Sequence, residues 1–257
     1  MIRAGVTACA RYLPRMYALT DACVAIVGAG RLGNALAAAM IGAKLRVLGP
    51  LGRRAEVRGA GIVVLCVPDG AIADAARAIE PGPLVGHCSG ASTLAPLAPH
   101  EAFSMHPLLT VARKAPVSFA GAGCAISGST ENARDAATAL ALRLKMRPFA
   151  LADADRDLYH AAASMASNYL VTVEGAAERL AALAGVEREL LVPLVRAAVE
   201  NWARLGATGA LTGPIVRGDV TTAARQRSAV ESRAPELLAL WDALAIATST
   251  LAAGNRR

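Results

Sequence analysis

The chain of 257 residues suits one large domain or two modest ones with a real core. Its formal net charge is +7, but the arginines are scattered and aromatics total only 4%, with no basic run interleaved with aromatics, which argues against a nucleic-acid partner. Hydrophobic residues reach 54%, yet Pro and Gly break the long uncharged runs and none supplies ~20 consecutive apolar residues, so alanine-rich helices are expected and no membrane span.

The tail, residues 1–21, carries Arg3, Arg11 and Arg15 around a short apolar stretch and makes a poor secretory leader; a true start at Met16 would explain it. The five cysteines (Cys9, Cys23, Cys66, Cys88, Cys124) form no Cys-x-x-Cys pair. Reduced thiols, a cytoplasmic location and no metal site follow as expectations.

From residue 22 the pattern alternates. "CVAIVGAGRLGNALAAAM" (23–40) predicts a strand, a glycine turn and a helix, and "KLRVLG" (44–49) a second strand. "GIVVLCVPD" (61–69) is a near-continuous apolar run, as a strand buried on both faces requires. A helix near 70–79 leads to a strand in "PLVGHCSG" (83–90). Further strands are predicted at 101–105, 123–127 and 147–151, with a helix at 130–145. This predicts a doubly wound α/β domain, Rossmann-like, over 22–152. Beyond Asp153 the period is helical almost to the end, so a smaller all-helical domain over 153–257 is expected, for substrate binding or dimerisation. Small residues on 160–184 and 236–252 would let helices approach closely in a homodimer, with Trp202 and Trp241 as core or dimer contacts.

Gly28, Gly30 and Gly33 form G-x-G-x-x-G between the first strand and helix, the setting in which this spacing cradles a pyrophosphate. Arg31 and Leu32 lie inside the turn. After the second strand no acid occurs before Glu56, where a ribose diol would need one, but Arg53 and Arg54 do. Two guanidinium groups suit a 2′-phosphate, which favours NADP over NAD, unless they are merely solvated.

Together, "GAGRLGNAL", "VLCVPDGAI", "VGHCSGAS", "FSMHPL", "YHAAASMASNYL" and "LTGPIVRGD" resemble an NADP-dependent oxidoreductase family in which a Rossmann-like domain precedes a helical domain of unknown function. Its relatives are ketopantoate reductase, pyrroline-5-carboxylate reductase and prephenate dehydrogenase. The resemblance spans about residues 22–250 and implies fold and cofactor, but not substrate. Ketopantoate reductase and the 3-hydroxyacid dehydrogenases place a catalytic lysine on the first helix of the second domain. This chain has no lysine beyond Lys145, so imidazole or hydroxyl chemistry must replace it.

Ligands of open α/β sheets bind beyond the carboxyl ends of the strands. Val67, Pro68, His87 and Ser89 fall there as candidate cofactor contacts, and His106, with Pro107 turning the chain after it, as a candidate catalytic group. "YHAAASMASNYL" (159–170) carries His160, Ser164, Ser167 and Asn168 at i, i+4, i+7 and i+8. On a 3.6-residue period they share one face, which would close the cleft: His160, Ser164 and Asn168 catalytic, Ser167 against substrate. The alternatives are plain: His87 bonded to its own loop, His106 structural, His160 a satisfied helix histidine, Asn168 capping a neighbouring loop, and the serines bonded back to helix carbonyls. In "LTGPIVRGD" (211–219), a predicted loop, Arg217 would bind a substrate carboxylate with Asp219 orienting it, or the two would pair to fix a helix start.

The expected function is hydride transfer between NADPH and a small C=O or C=N compound, an acid by expectation. A keto-acid or imine reductase of the ketopantoate or pyrroline-carboxylate type is the narrower alternative. A non-catalytic NADP-binding regulator is the alternative of another class.

Overall fold

The computed structural model describes residues 22–52, 56–112 and 117–254; the tail, Arg53 and Arg54 lie outside them. Seven strands form one sheet: β1 (Cys23–Val27), β2 (Arg46–Leu51), β3 (Ile62–Leu65), β4 (Leu84–His87), β5 (Ala102–Leu108), β6 (Gly123–Gly128) and β7 (Arg147–Ala150). Their order is β2-β1-β3-β4-β5-β6-β7, parallel throughout except that β6 runs antiparallel to β5. From β1 the chain goes to β2 on one side and returns to β3 on the other, so the order reverses at β1, where open α/β sheets bind ligands. Helices α1 (Arg31–Gly42) and α3 (Glu131–Arg143) cover one face, packing with Ile26, Ile62, Phe103 and Met105; α2 (Ile72–Arg77) covers the other with Val27, Val63 and Leu65. Every residue of β3 is buried, which is why its sequence is an unbroken apolar run.

Two local readings need correction. β3 ends at Leu65, well short of the expected run 61–69, which leaves Val67 and Pro68 beyond its carboxyl end, and Pro68 opens a 3-10 turn over Asp69–Ala71. β5 runs to Leu108, so His106 and Pro107 lie inside a strand and not in a turn after it. A proline is tolerated there because β4 pairs with β5 only as far as Ser104, leaving one flank of 105–108 without a ladder.

The chain divides into two compact units, one ending at Ser164 and the next starting at Met165. Helix α4 (Arg156–Ser164), expected to open the second domain, groups with the sheet. The reason is Arg156, whose buried guanidinium bonds to Ser104 of β5 and Ser127 of β6.

The second unit is helical: a π turn (Met165–Tyr169), α5 (Leu170–Leu183), α6 (Arg188–Ala210, kinked at Gly206), α7 (Pro214–Arg217), α8 (Val220–Arg233) and α9 (Leu238–Gly254). Among its described residues only Val230, Ala234 and Ala252 are buried, while Leu190, Leu194, Trp202 and Ile246 are exposed. The stretch Pro235–Gly254 is long and apolar enough to cross a membrane by length and composition. It carries Glu236 and Asp242, however, ion-paired with Arg179 of α5 and Arg227 of α8, which suits a helix packed in a bundle.

Candidate functional site

The turn after β1 separates the three glycines by what each must do. Gly28 has φ +115, and a Cβ there would stand 2.3 Å from the Cys66 carbonyl oxygen. A Cβ on Gly33 would stand 1.9 Å from the Gly28 carbonyl oxygen. Both glycines are therefore demanded by the chain's own close packing. Gly30 is not: a Cβ there would meet nothing within 4 Å. Gly28 N–H donates to the Leu51 carbonyl (2.8 Å), and the Asn34 side-chain amide donates to the carbonyls of Ala29 and Gly30 (2.8 Å each), so the turn is pinned. Gly30 caps α1 without a side-chain bond, and no acid lies in the first turn. The result is an open, uncapped helix N-terminus whose N–H groups and dipole favour an anion. Arg31 is exposed beside it; Leu32 packs toward the core and can offer only its backbone.

The loops after β3 and β4 are tied together. Ser89 Oγ donates to Asp69 (2.8 Å) and accepts from the N–H groups of Ala91 (3.2 Å) and Ser92 (2.9 Å). His87 is fully buried; its Nδ1 accepts from Ser89 N–H (3.2 Å), which leaves Nε2–H to donate to the Thr93 carbonyl (2.9 Å). Both ring nitrogens are thus spent on the loop, so the expectation of a cofactor contact through the His87 side chain is corrected. Burial is the main reason its pKa lies below the usual value. Val67 packs into the α2-side core, and Pro68 is exposed.

At the end of β5 the sheet presents a second histidine beside a third. His106 Nδ1 lies 2.7 Å from Tyr159 Oη, their rings edge to face at 5.5 Å. The His160 ring stands 6.3 Å from that of His106, and Phe149 packs against Tyr159 at 5.9 Å. A Cβ on Gly90 would fall 2.9–3.0 Å from the His106 ring and 3.0 Å from the His160 ring, so glycine lets the β4 loop meet both imidazoles. Burial, then the charge of His160, pushes the His106 pKa down to about 4, leaving a neutral ring. Burial raises that of Tyr159 to about 12, so it remains a phenol. Below them Arg156 Nε donates to Asp153 (2.7 Å), and Nη2 to Ser104 (3.0 Å) and Ser127 (2.7 Å). Its Nη1 has no partner among the described residues. Ser164 ends α4, half-buried.

Gly90, Arg156 and Tyr159 were missed in the sequence. The available signal was helical spacing: Arg156, Tyr159 and His160 stand at i, i+3 and i+4 of α4, on one face.

The four-residue polar stripe does not lie on one regular α-helix. Residues Met165–Tyr169 form a π turn, closing on i+5 instead of i+4, so the 3.6-residue period assumed for the stripe is not kept there. Ser167 and Asn168 also belong to the second unit, where Ser167 Oγ donates to Asn168 Oδ1 (3.4 Å). The predicted loop 211–219 contains a short helix, α7, bounded by Gly213 and Gly218 at positive φ. Asp219 caps α8, accepting from Thr222 N–H (3.0 Å), and that bond is the first reason its pKa lies low. Arg217 is exposed, and its charge is a smaller cause of the low Asp219 pKa than the cap.

Residues 122–248 match the family described as a domain of unknown function, DUF2520. No curated protein matches the sequence. Among solved structures the chain is similar to BF3122 from Bacteroides fragilis, described as a "putative NADP oxidoreductase" (TM-score 0.80, 18% identity, 90% of this chain and 99% of that one). It is also similar to protein TM1727 from Thermotoga maritima (TM-score 0.75, 22% identity, 91% and 100%). A third is the reductive aminase from Aspergillus terreus in complex with NADPH and ethyl levulinate (TM-score 0.60, 18% identity, 90% and 98%). At these identities the likeness is one of fold. The chain is a Rossmann-like protein of the fold these oxidoreductases share, with residues 122–248 matching the DUF2520 family.

Proposed function

We propose that the chain binds NADP(H) on the α1 turn and transfers hydride between it and a small carbonyl or imine compound. Gly30 carries this reading: it is the one glycine of the three that the chain's own packing does not require, and it leaves open space at an uncapped helix N-terminus. The backbone of Gly28, Gly30, Arg31, Leu32 and Gly33 would hold the pyrophosphate, and Arg53 and Arg54 the 2′-phosphate. The descriptions of the Bacteroides and Aspergillus proteins point to the same cofactor. When bound, the cofactor supplies or takes up hydride.

The chain's own groups would manage the substrate heteroatom. His106, held neutral, offers a hydrogen bond without a charge. Imidazole is the side chain whose proton exchange suits neutral pH. Of the three at this edge, His87 is spent on its loop and His106 stays neutral, so the proton falls to His160.

The test is oxidation of bound NADPH on adding a panel of keto acids, aldehydes and cyclic imines. Turnover of one class is expected. Binding without oxidation by any of them would make the protein a dinucleotide sensor; absence of binding would overturn both readings.

A further inference from the structure

We infer that Tyr159 is a positioning residue: its hydroxyl donates to His106 Nδ1 and so fixes the ring proton on Nε2, the nitrogen beside Gly90. The Oη–Nδ1 distance is 2.7 Å, a full hydrogen bond, and Nε2 has no partner among the described residues. The direction of the bond follows from the groups. A phenol is a good donor and a poor acceptor, because its oxygen lone pair is delocalised into the ring. A bare imidazole nitrogen is a strong acceptor. The reverse arrangement would pair the weaker donor with the weaker acceptor. Tyr159 also stays protonated.

Tyr159 is a stable reference for the ring. It stands one turn after Arg156, whose guanidinium fixes α4 to β5 and β6, and its own ring packs against Phe149 of β7. Gly90, having no side chain, lets the β4 loop come up to the other side of the His106 ring, next to Nε2 and beside His160. The consequence for catalysis rests on the proposed reductase reading: His106 Nε2–H becomes a fixed donor for the substrate oxygen or nitrogen. The tautomer itself does not rest on it.

The experiment is two-bond proton–nitrogen correlation on 15N-labelled full-length protein at neutral pH, with His106 assigned through the His106→Asn variant. The native protein should show His106 as Nε2–H alone. Tyr159→Phe keeps the ring contact with Phe149 and removes the hydroxyl; it should change the Nδ1 resonance and admit the second tautomer. Its kcat should fall by roughly 10–100-fold with KM for NADPH unchanged, the scale of a misplaced catalytic group. An Nδ1–H tautomer in the native protein, or an Nδ1 resonance unmoved in Tyr159→Phe, overturns the inference. A changed tautomer with full turnover overturns the role of the fixed Nε2–H in catalysis. If the tautomer behaves as stated but no substrate is turned over, Tyr159 still sets the ring and the reductase reading alone fails.

Discussion

His160 and His106 are neighbours in different surroundings. In the proposed reaction the neutral His106 ring would orient the heteroatom and the exposed His160 would deliver the proton. His160→Gln keeps size and polarity but cannot act as an acid, so turnover should fall by ~10²–10⁴ with NADPH binding intact. Near-native turnover in that variant would move the proton to another group. The low pKa of His106 also has a cost in acid. Folded, the ring titrates near 4; unfolded, near 6.5, so between those values only the unfolded chain takes up the proton. The stability is therefore complete above pH ~6.5 and is lost as pH falls toward 4. His87 shifts in the same direction. For His106 the loss is on the order of 1–3 kcal/mol, discounted because the ring keeps some contact with solvent. Urea midpoints should be lower at pH 5 than at pH 7, with part of the drop absent in His106→Asn; equal midpoints would contradict the shift.

At the scale of elements, the strands and the glycine turn were legible because their signals are local. A β-branched run buried on both faces, as in β3, and a glycine spacing between strand and helix both read directly from sequence. What was not legible depends on partners far along the chain. β5 extends past Met105 because β6 pairs with it out to Leu108, and no local feature announces that partner. α4 joins the sheet unit because Arg156 reaches Ser104 and Ser127, 52 and 29 positions away. Regular periodicity misled at 165–169, where a π turn replaces the assumed period. Asp219 was read as a partner of Arg217, but an aspartate directly before a helix more often caps it. β2 offers a prediction that remains sequence-based, since Arg53 and Arg54 follow it just outside the described residues. Replacing both by alanine should weaken NADPH by roughly 2–4 kcal/mol, the worth of a few charged hydrogen bonds, and leave NADH nearly unchanged. Equal losses for both would sink the 2′-phosphate assignment.

For the whole molecule, the helical unit buries few of its own residues and leaves Leu190, Leu194, Trp202 and Ile246 exposed, more apolar surface than a lone unit needs. We propose that a second copy covers part of it. Light scattering at micromolar concentration should give a dimer; a monomer would remove this proposal. The central claim, a dinucleotide held on the α1 turn, has a sharper test. Calorimetric titration of NADPH into the native protein and into Gly30→Val compares two chains that differ only in the open space at the helix N-terminus. Gly30 has φ −75 and ψ −174, extended backbone that any residue adopts, and room for the new side chain, so Gly30→Val should melt close to the native protein. The account expects NADPH to bind the native protein and to lose most of its affinity for Gly30→Val. Equal binding by both, or no binding by the native protein, would contradict it.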